Sequence, residues 1–311
     1  GTLQNNGAAL VGDISSVVAG TGLSGGGTSG AVTLNVEAAQ SGVTSLGTLT
    51  ALTVNGNVSI DGGTVKLDGN YPTGTNNVAL GNTALDSLTS GNENTAIGAV
   101  ALTANTSGCY NVAVGDNALA ANTTGNDNTT IGMRSLLNNT TGINNTGVGR
   151  NALRENTTAA KNTAVGSSSL ACNTTGTRNT AVGFCSLTTN TTGDDNTAFG
   201  TESLRANTTG ANNVAVGKNA LVANTTGDEN TAVGCNTLGA NTTADNNTAI
   251  GAFALDTNTE GHSNVAVGRS ALTANTTADN NTAVGFSALS TNTTGADNAA
   301  FGRRALNSNT T

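Results

Sequence analysis

Asparagine recurs at one fixed interval through most of this chain. It stands at position 77, at 94, at 111 and so on to 298, which gives fourteen units with no insertion or deletion. An internal repeat of fixed period is typical of folds in which one short structural unit stacks on the next. A single inserted position would move every later side chain out of its column. The strict period therefore predicts a stack of fourteen equivalent coils.

The repeated unit has a simple grammar. With the Asn numbered as slot 1, it reads N-[TV]-A-[VIF]-G-x-x-[AST]-L-x-x-N-T-T-[GA]-x-x, and slots 5 and 9 are Gly and Leu in every unit. Gly and the β-branched Thr and Val disfavour a helix. Slots 2 to 4 alternate with the period of two that a strand has, and slots 8 and 9 predict a second short strand. Gly at slot 5 and the NTTG segment supply the two corners.

We therefore predict an all-β protein, a β-solenoid or β-roll of fourteen 17-residue coils at 77–311, after a β-rich fibre shaft or connector at 1–76. Slots 4 and 9 are expected to form the core, slot 5 the turn, and slot 1 a ladder of stacked amides. Slots 6, 7, 10, 11, 16 and 17 vary and are expected to face solvent. The columns are represented by Leu85, Leu102, Leu119, Leu187, Leu306, Val114, Val182, Val216, Gly81, Gly98, Gly183, Asn94 and Asn179.

A thin aliphatic core suggests that the coils do not act alone. Aromatic residues are 2% of the chain, and each coil offers few large apolar side chains to bury. A second burial surface would help, and the Ala of slot 3, on the side of the strand opposite slots 2 and 4, is small enough for close contact with another chain. We expect a homo-oligomer, and specifically a homotrimer.

Charge and hydropathy exclude several partners. The net charge of -8 argues against nucleic acid and against anionic membrane surfaces. No run approaches the ~18 apolar residues of a membrane-spanning helix, so we expect no membrane insertion. The chain begins GTLQ without Met and stops partway through a unit, so we expect it to belong to a longer polypeptide.

Catalytic chemistry has little support in the sequence. His262 is the only histidine, and the acidic residues lie mostly in variable slots, so we predict no enzyme activity, no cofactor and no metal site. Asp and Asn crowd slots 16 and 17, where stacking would place Asp245 and Asp279 on either side of His262. We interpret this as a solvated acidic edge, because no Asp-x-Asp-x-Gly calcium loop is present. Four different slots hold Cys109, Cys172, Cys185 and Cys235, so stacking pairs none of them.

The repeated corner raises two further hypotheses. Asn122-Thr123-Thr124 and its equivalents are N-x-[ST] sequons, which could carry glycans in a eukaryotic secretory pathway, although the corner itself requires these residues. Columns of Thr at slots 13 and 14 suggest ice recognition. Adjacent Thr residues in an extended chain would point to opposite faces, which argues against that idea.

The motifs NVAVG at 111–115 and 213–217 and NTAVG at 179–183 resemble the head repeats of YadA-type trimeric autotransporter adhesins. The resemblance covers 77–311 and implies a left-handed parallel β-roll in a homotrimer. The 17-residue length and the NTTG corner depart from that family.

The segment 1–76 points to a different family. VVAGTGLSGGGTSGAVTLNV at 17–36 resembles a segment of phage tail-fibre proteins, and 45–69 is similar to fibre shaft sequence, with a predicted hairpin around DGG that carries Val58, Ile60, Val65 and Leu67. These likenesses imply a virion tail fibre that acts as a rigid spacer in host attachment. The alternatives are a bacterial surface adhesin and, behind it, an ice- or glycan-binding solenoid. Expected partners are other copies, fibre or virion proteins, and a glycan or protein of a host surface. The expected location is the virion or the cell surface.

Overall fold

The structure, a computed structural model, describes residues 74–310 continuously and three short strands before them. These strands are β1 (Val17–Val18), β2 (Leu23–Gly27) and β3 (Leu34–Val36), which form an antiparallel sheet in that order. The chain divides into two compact units, Gly1–Val65 and Lys66–Thr311. The predicted hairpin at Val58, Ile60, Val65 and Leu67 lies outside the described residues.

The repeat forms one parallel sheet of fourteen strands, one strand from each coil, in sequence order. Each strand pairs with the same slots of the next coil, as Thr180 does with Thr197. The predicted solenoid of fourteen coils is therefore confirmed. The strands are β4 (Val78–Leu80), β5 (Thr95–Ile97), β6 (Val112–Val114), β7 (Thr129–Ile131), β8 (Thr146–Val148), β9 (Thr163–Val165), β10 (Thr180–Val182), β11 (Thr197–Phe199), β12 (Val214–Val216), β13 (Thr231–Val233), β14 (Thr248–Ile250), β15 (Val265–Val267), β16 (Thr282–Val284) and β17 (Ala299–Phe301).

The second predicted strand, at slots 8 and 9, is wrong. Slots 6 to 11 form turns in every described coil, and the Leu of slot 9 is left-handed, with φ of 50° at Leu187. Slots 7 and 17 also have positive φ in each complete coil, as at Ser168 and Asp195. A left-handed residue reverses the chain direction over a short distance, whereas a strand would carry slot 9 away from the axis. Together these left-handed positions bend each coil into a closed loop.

Backbone hydrogen bonds between coils hold the turns as well as the strands. The Leu102 amide donates to the Ala118 carbonyl at 3.1 Å, and the Val100 amide donates to the Asn82 carbonyl at 2.9 Å. A left-handed conformation costs a non-glycine residue about 1–2 kcal/mol. Because the neighbouring coil satisfies the amide at each such position, the stack holds this conformation in place.

The core lies between the Ala of slot 3 and the Leu of slot 9. Leu85, Leu102, Leu119 and Leu187 are fully buried, as predicted, and they belong to one cluster that includes the slot 3 alanines. The predicted burial of Leu306 is wrong, because this Leu lies in the last described coil and is 51% exposed.

The strand faces the opposite way from the prediction. Ala181 is fully buried, whereas Val182, Val114 and Val216 are only half-buried and lie on the outer side of the sheet. The alternation itself is as predicted, but its two sides are exchanged. A turn wall carrying Leu leaves room opposite for only a small side chain, which is Ala in most coils, so the small residue faces inward. Among residues 74–310, no helix is long and apolar enough to cross a bilayer.

Candidate interaction surface

The outer side of the fourteen-stranded sheet is an uncharged ribbon, apolar at slot 4 and mostly Thr at slot 2. It is here called the sheet face and is defined by slots 2 and 4 of strands β4–β17. Slot 2 holds only Thr, Val or Ala, slot 4 holds only Val, Ile, Leu or Phe, and neither slot is charged in any coil. Many slot 4 side chains are substantially exposed, including Ile131 at 47% and Phe199 at 55%. Contiguous exposed apolar surface of this extent marks an interaction site.

Two ladders of buried Asn fix the distance between coils. At slot 1, the Asn94 amide donates to Oδ1 of Asn77 at 2.9 Å, and Asn94 Nδ2 donates to the Gly108 carbonyl at 2.9 Å. Asn179 repeats this pattern against Asn162 and Gly193. The predicted ladder at Asn94 and Asn179 is therefore confirmed. Buried polar groups without partners are costly, and these amides are partnered within and between coils.

A second Asn ladder runs through slot 12. Asn122 Nδ2 donates both to Oδ1 of Asn105 at 2.9 Å and to the Gly125 carbonyl at 3.0 Å. The side chain is fully buried, so the Asn122 sequon offers no free amide for glycan attachment in the folded chain. The corner requirement explains the repeated NTT motif.

The Gly of slot 5 closes the corner after each strand. Gly81, Gly98 and Gly183 have φ of 143°, 134° and 138°, a region that L-residues rarely adopt. A Cβ on Gly183 would lie 2.5 Å from the Gly200 carbonyl oxygen. The turn function assigned to these glycines is confirmed, and a second reason for Gly is the close approach of the next coil.

Threonine side chains at slot 13 belong to the scaffold. Thr123 Oγ1 donates to the Thr140 carbonyl at 3.1 Å, and the same bond recurs from Thr140 and from Thr157. These hydroxyls are engaged with the backbone of the next coil. Slot 14, in contrast, is exposed throughout the described coils. The two Thr columns therefore differ in exposure, and only slot 14 faces solvent fully.

The acidic bias of slot 16 has a structural cause that the sequence analysis missed. Where slot 16 of the next coil carries an acceptor, the backbone amide of slot 16 donates to that side chain, as Ala211 does to Asp228 Oδ1 at 2.6 Å. The stacking of Asp245, His262 and Asp279 is confirmed by the same bonds. The Asp245 amide donates to His262 Nδ1 at 2.9 Å, and the His262 amide donates to Asp279 Oδ1 at 2.6 Å. A signal was available, because Asp, Asn, Cys and His at this slot all carry an acceptor.

Two carboxyl groups have shifted pKa values for opposite reasons. The hydrogen bond from the Arg178 guanidinium, at 2.7 Å, lowers the pKa of Asp195. Burial raises the pKa of Asp256, against the opposing hydrogen bond from the Gly239 amide. Asp195 is exposed and Asp256 is half-buried in another coil, so the two do not form a catalytic pair.

Other reactive groups are dispersed over the described coils. Cys109, Cys172, Cys185 and Cys235 are free thiols. Within residues 74–310, no three His, Cys, Asp or Glu side chains converge as a metal ion would require. A shallow surface groove beside Cys185 is lined by Thr188, Thr189, Arg205, Ala206 and Thr208, and holds no grouping of a base with a nucleophile.

Comparison of the chain with protein-family models, with curated proteins and with solved structures finds no match. The resemblance to adhesin heads and tail fibres therefore stays a prediction from the sequence. The geometry of the coils, and above all the sheet face, is the basis for assigning a function.

Proposed function

We propose that this chain is a structural segment of a phage tail fibre, where it acts as a rigid spacer in host-surface attachment. The observation that carries the proposal is the uninterrupted stack of fourteen coils of equal length. A solenoid without insertions offers no large loop from which to build a pocket. What it provides is length.

The interior chemistry supports stiffness. Each coil is joined to the next by strand pairing, by turn hydrogen bonds and by the two Asn ladders. Parallel strands lie ~4.8 Å apart, so fourteen coils span on the order of 65 Å. Because the joints recur in every coil, no coil is a natural hinge.

The sheet face supports self-association, and we propose a homotrimer. Fourteen strands ~4.8 Å apart, each about 10 Å long, give a ribbon on the order of 650 Å². Stable interfaces bury about 800 Å² per partner. A ribbon of this size and apolar character suits a partner as long as the rod itself, which another copy would be.

The contact surface differs from the one expected from the sequence. The slot 3 alanines are buried within each chain and cannot contact a partner. Slot 4, with Val182 and its equivalents, takes that place. Association would bury the exposed side chains that the single chain leaves in water, such as Ile131 and Phe199.

The phage assignment rests on the likeness of residues 17–36 to tail-fibre sequence, and the adhesin alternative rests on the NTAVG repeats. Both are surface rods that hold a receptor-binding or anchoring element at a distance. Immunogold labelling with an antibody against the coils separates them. Label on fibres of purified phage particles supports the proposal, and label only on a bacterial envelope contradicts it.

Coil deletion tests the spacer function. Removing residues 179–229 deletes three whole coils and keeps all later columns in phase. We expect a folded rod shortened by about 14 Å, since each coil adds ~4.8 Å, measured by small-angle scattering and electron microscopy. The matched control removes 179–228, one residue fewer, and puts the two halves out of phase. If the control folds as well and shortens equally, the column model is wrong.

Multi-angle light scattering of the unaltered chain tests the trimer. A mass of three chains supports it. A monomer at all concentrations would overturn the proposed trimer. It would not affect the spacer proposal, which the coil deletion tests separately.

A further inference from the structure

Two charged edges border the sheet face. The first, called the basic edge, consists of slots 6 and 7, which follow the strand, and the second, called the acidic edge, consists of slots 16 and 17, which precede it. Over 77–310 the basic edge has six cations and two anions: Arg134, Arg150, Lys218, Arg269, Arg303, Arg304, Asp116 and Glu202. The acidic edge has nine anions and two cations: Glu93, Asp127, Asp194, Asp195, Asp228, Glu229, Asp245, Asp279, Asp297, Lys161 and Arg178.

None of the six cations of the basic edge takes part in a salt bridge within the coils at 77–310. In the coils at 77–310, the arginines that form one are Arg154 and Arg205 at slot 10 and Arg178 at slot 17. Seven cations of these coils form no salt bridge. One is Lys161, and the other six are the cations of the basic edge. Arg269 and Arg303 instead flank the ring of Phe286, at 5.9 and 5.8 Å from its centroid. The basic edge therefore carries positive charge that is not paired with any carboxylate among residues 74–310.

The chain cannot bring its two edges together, because the strand lies between them in every coil. We propose that a second copy of this chain, running in the same direction, covers the sheet face and sets its acidic edge against the basic edge of the first. This inference rests on the self-association proposed above and adds the direction of the copies and the residues that select it.

Geometry ties the direction to the charges. When copies are related by rotation about an axis parallel to the rod, the edge after one strand meets the edge before the neighbour's strand. Basic then meets acidic at each contact. A two-fold axis across the rod would instead make the copies antiparallel and bring like edges together. The charge pattern therefore favours a parallel assembly of any cyclic order.

The sheet face supplies the affinity between copies, and the charged edges select their direction. Exposed ion pairs contribute only about 0–1 kcal/mol each, so the edges are not the main source of affinity. Burial of slots 2 and 4 supplies the association, at roughly 25 cal/mol per Å² of apolar area. Like charges placed opposite one another cost several kcal/mol, so the edges act by excluding the wrong direction.

Charge reversal at exposed edge positions tests the proposal in the full chain. The first variant combines Arg134→Glu, Arg150→Glu, Lys218→Glu and Arg304→Glu, which makes both edges acidic. The second combines Glu93→Lys, Asp127→Lys, Glu229→Lys and Asp297→Lys, which makes both edges basic. All eight side chains are exposed, and none accepts a slot 16 backbone bond. Circular dichroism and thermal melting confirm that each variant is folded.

We expect each variant alone to associate at least about tenfold more weakly than the original chain at low salt, because like edges would meet. An equimolar mixture of the two should associate more strongly than either variant alone, measured by sedimentation velocity. The matched control compares Lys218→Glu on the basic edge with Arg154→Glu at slot 10, an equal change of net charge away from both edges. The edge variant should weaken association more. Equal effects of these two single variants, or a mixture that associates no more strongly than either charge-reversed variant alone, would overturn the inference.

Fluorescence energy transfer between labelled copies measures whether the copies run parallel or antiparallel. In a chain whose four cysteines are replaced by Ser, Thr83→Cys in the first coil carries either a donor or an acceptor dye. Parallel copies place the dyes close together, whereas antiparallel copies separate them by nearly the rod length of about 65 Å. High transfer supports the proposal. Low transfer in an oligomer contradicts the direction alone, and a monomer in light scattering contradicts the self-association beneath it.

Discussion

The two walls of each coil stack on the next coil at the same interval but with different backbone conformations. The strand wall, slots 2 to 4, uses extended residues and places a small side chain inward and a large one outward. The turn wall, slots 7 to 9, uses left-handed residues at both ends and places the large Leu inward. Both walls form hydrogen bonds to the next coil. A strict period therefore fixes what stacks on what, and leaves open the path that the backbone takes between columns.

The corner that joins the two walls, the Gly of slot 5, should tolerate substitution least. Gly183→Ala would place a methyl group against the backbone of the next coil at a φ of 138°. Steric crowding of a packed interior and backbone strain each cost about 1–3 kcal/mol, so we expect a loss of about 3 kcal/mol or more in the free energy of unfolding. Urea unfolding followed by circular dichroism measures it.

The control for this corner is Gly193→Ala, at slot 15 of the same coil. Its Cβ would also approach a backbone oxygen, that of Gly210. Ala nevertheless occupies this slot in three other coils, at Ala159, Ala244 and Ala278. The loss should therefore be clearly smaller than for Gly183→Ala. An equal loss would mean that left-handed geometry at slot 5 is not what makes that corner special.

Leu187→Ala and Val182→Ala compare the walls directly. Leu187 is fully buried on the turn wall, so its truncation should cost about 2–5 kcal/mol in the free energy of unfolding. Val182 lies half-buried on the sheet face, and its truncation should cost the single chain less than about 1 kcal/mol. Chemical denaturation at a concentration too low for association measures both. If Val182→Ala cost more unfolding free energy than Leu187→Ala, slot 4 would face the core, as first predicted from the sequence.

These contrasts show how far the sequence could lead. The repeat predicted the coils, the Asn columns and the Gly corner, because each depends on stacking identical residues. It did not predict the inward face of the strand, since alternation marks two sides without saying which is the core. It also missed the left-handed Leu, because intrinsic propensity argues against it and only the neighbouring coil's carbonyl, such as that of Ser203 for Leu187, compensates.

A serine pair tests the left-handed position at the start of the turn wall. Ser168 has φ of 56° at slot 7, whereas Ser167 beside it does not have positive φ. Ser168→Gly should relieve strain and stabilise the chain by about 0.5 kcal/mol after the entropic cost of Gly. Ser167→Gly should destabilise it by about 0.5–1 kcal/mol, because only that cost remains. The difference between their thermal unfolding midpoints is the measurement, and midpoints that move together would argue against strain at slot 7.

Slot 10, directly after the turn wall, places the carboxyl group of Asp256 where burial disfavours its charge, whereas the strand wall carries no charge at all. Because the folded pKa of Asp256 is raised, its protonated form is favoured in the folded chain, and the stability it contributes at low pH is lost as the pH rises through that pKa. Asp256→Asn should therefore raise the unfolding midpoint slightly near neutral pH. The difference should vanish at about pH 3, below the ordinary Asp pKa of ~3.9.

Asp195→Asn is the opposite case. The pKa of Asp195 is lowered in the folded chain, so its carboxylate stabilises the fold above the ordinary Asp pKa, and this contribution is lost on acidification. Its midpoint should fall slightly near neutral pH, by an amount limited by solvent exposure of the Arg178 pair. If both midpoints shift with the same sign, burial does not govern the pKa of Asp256.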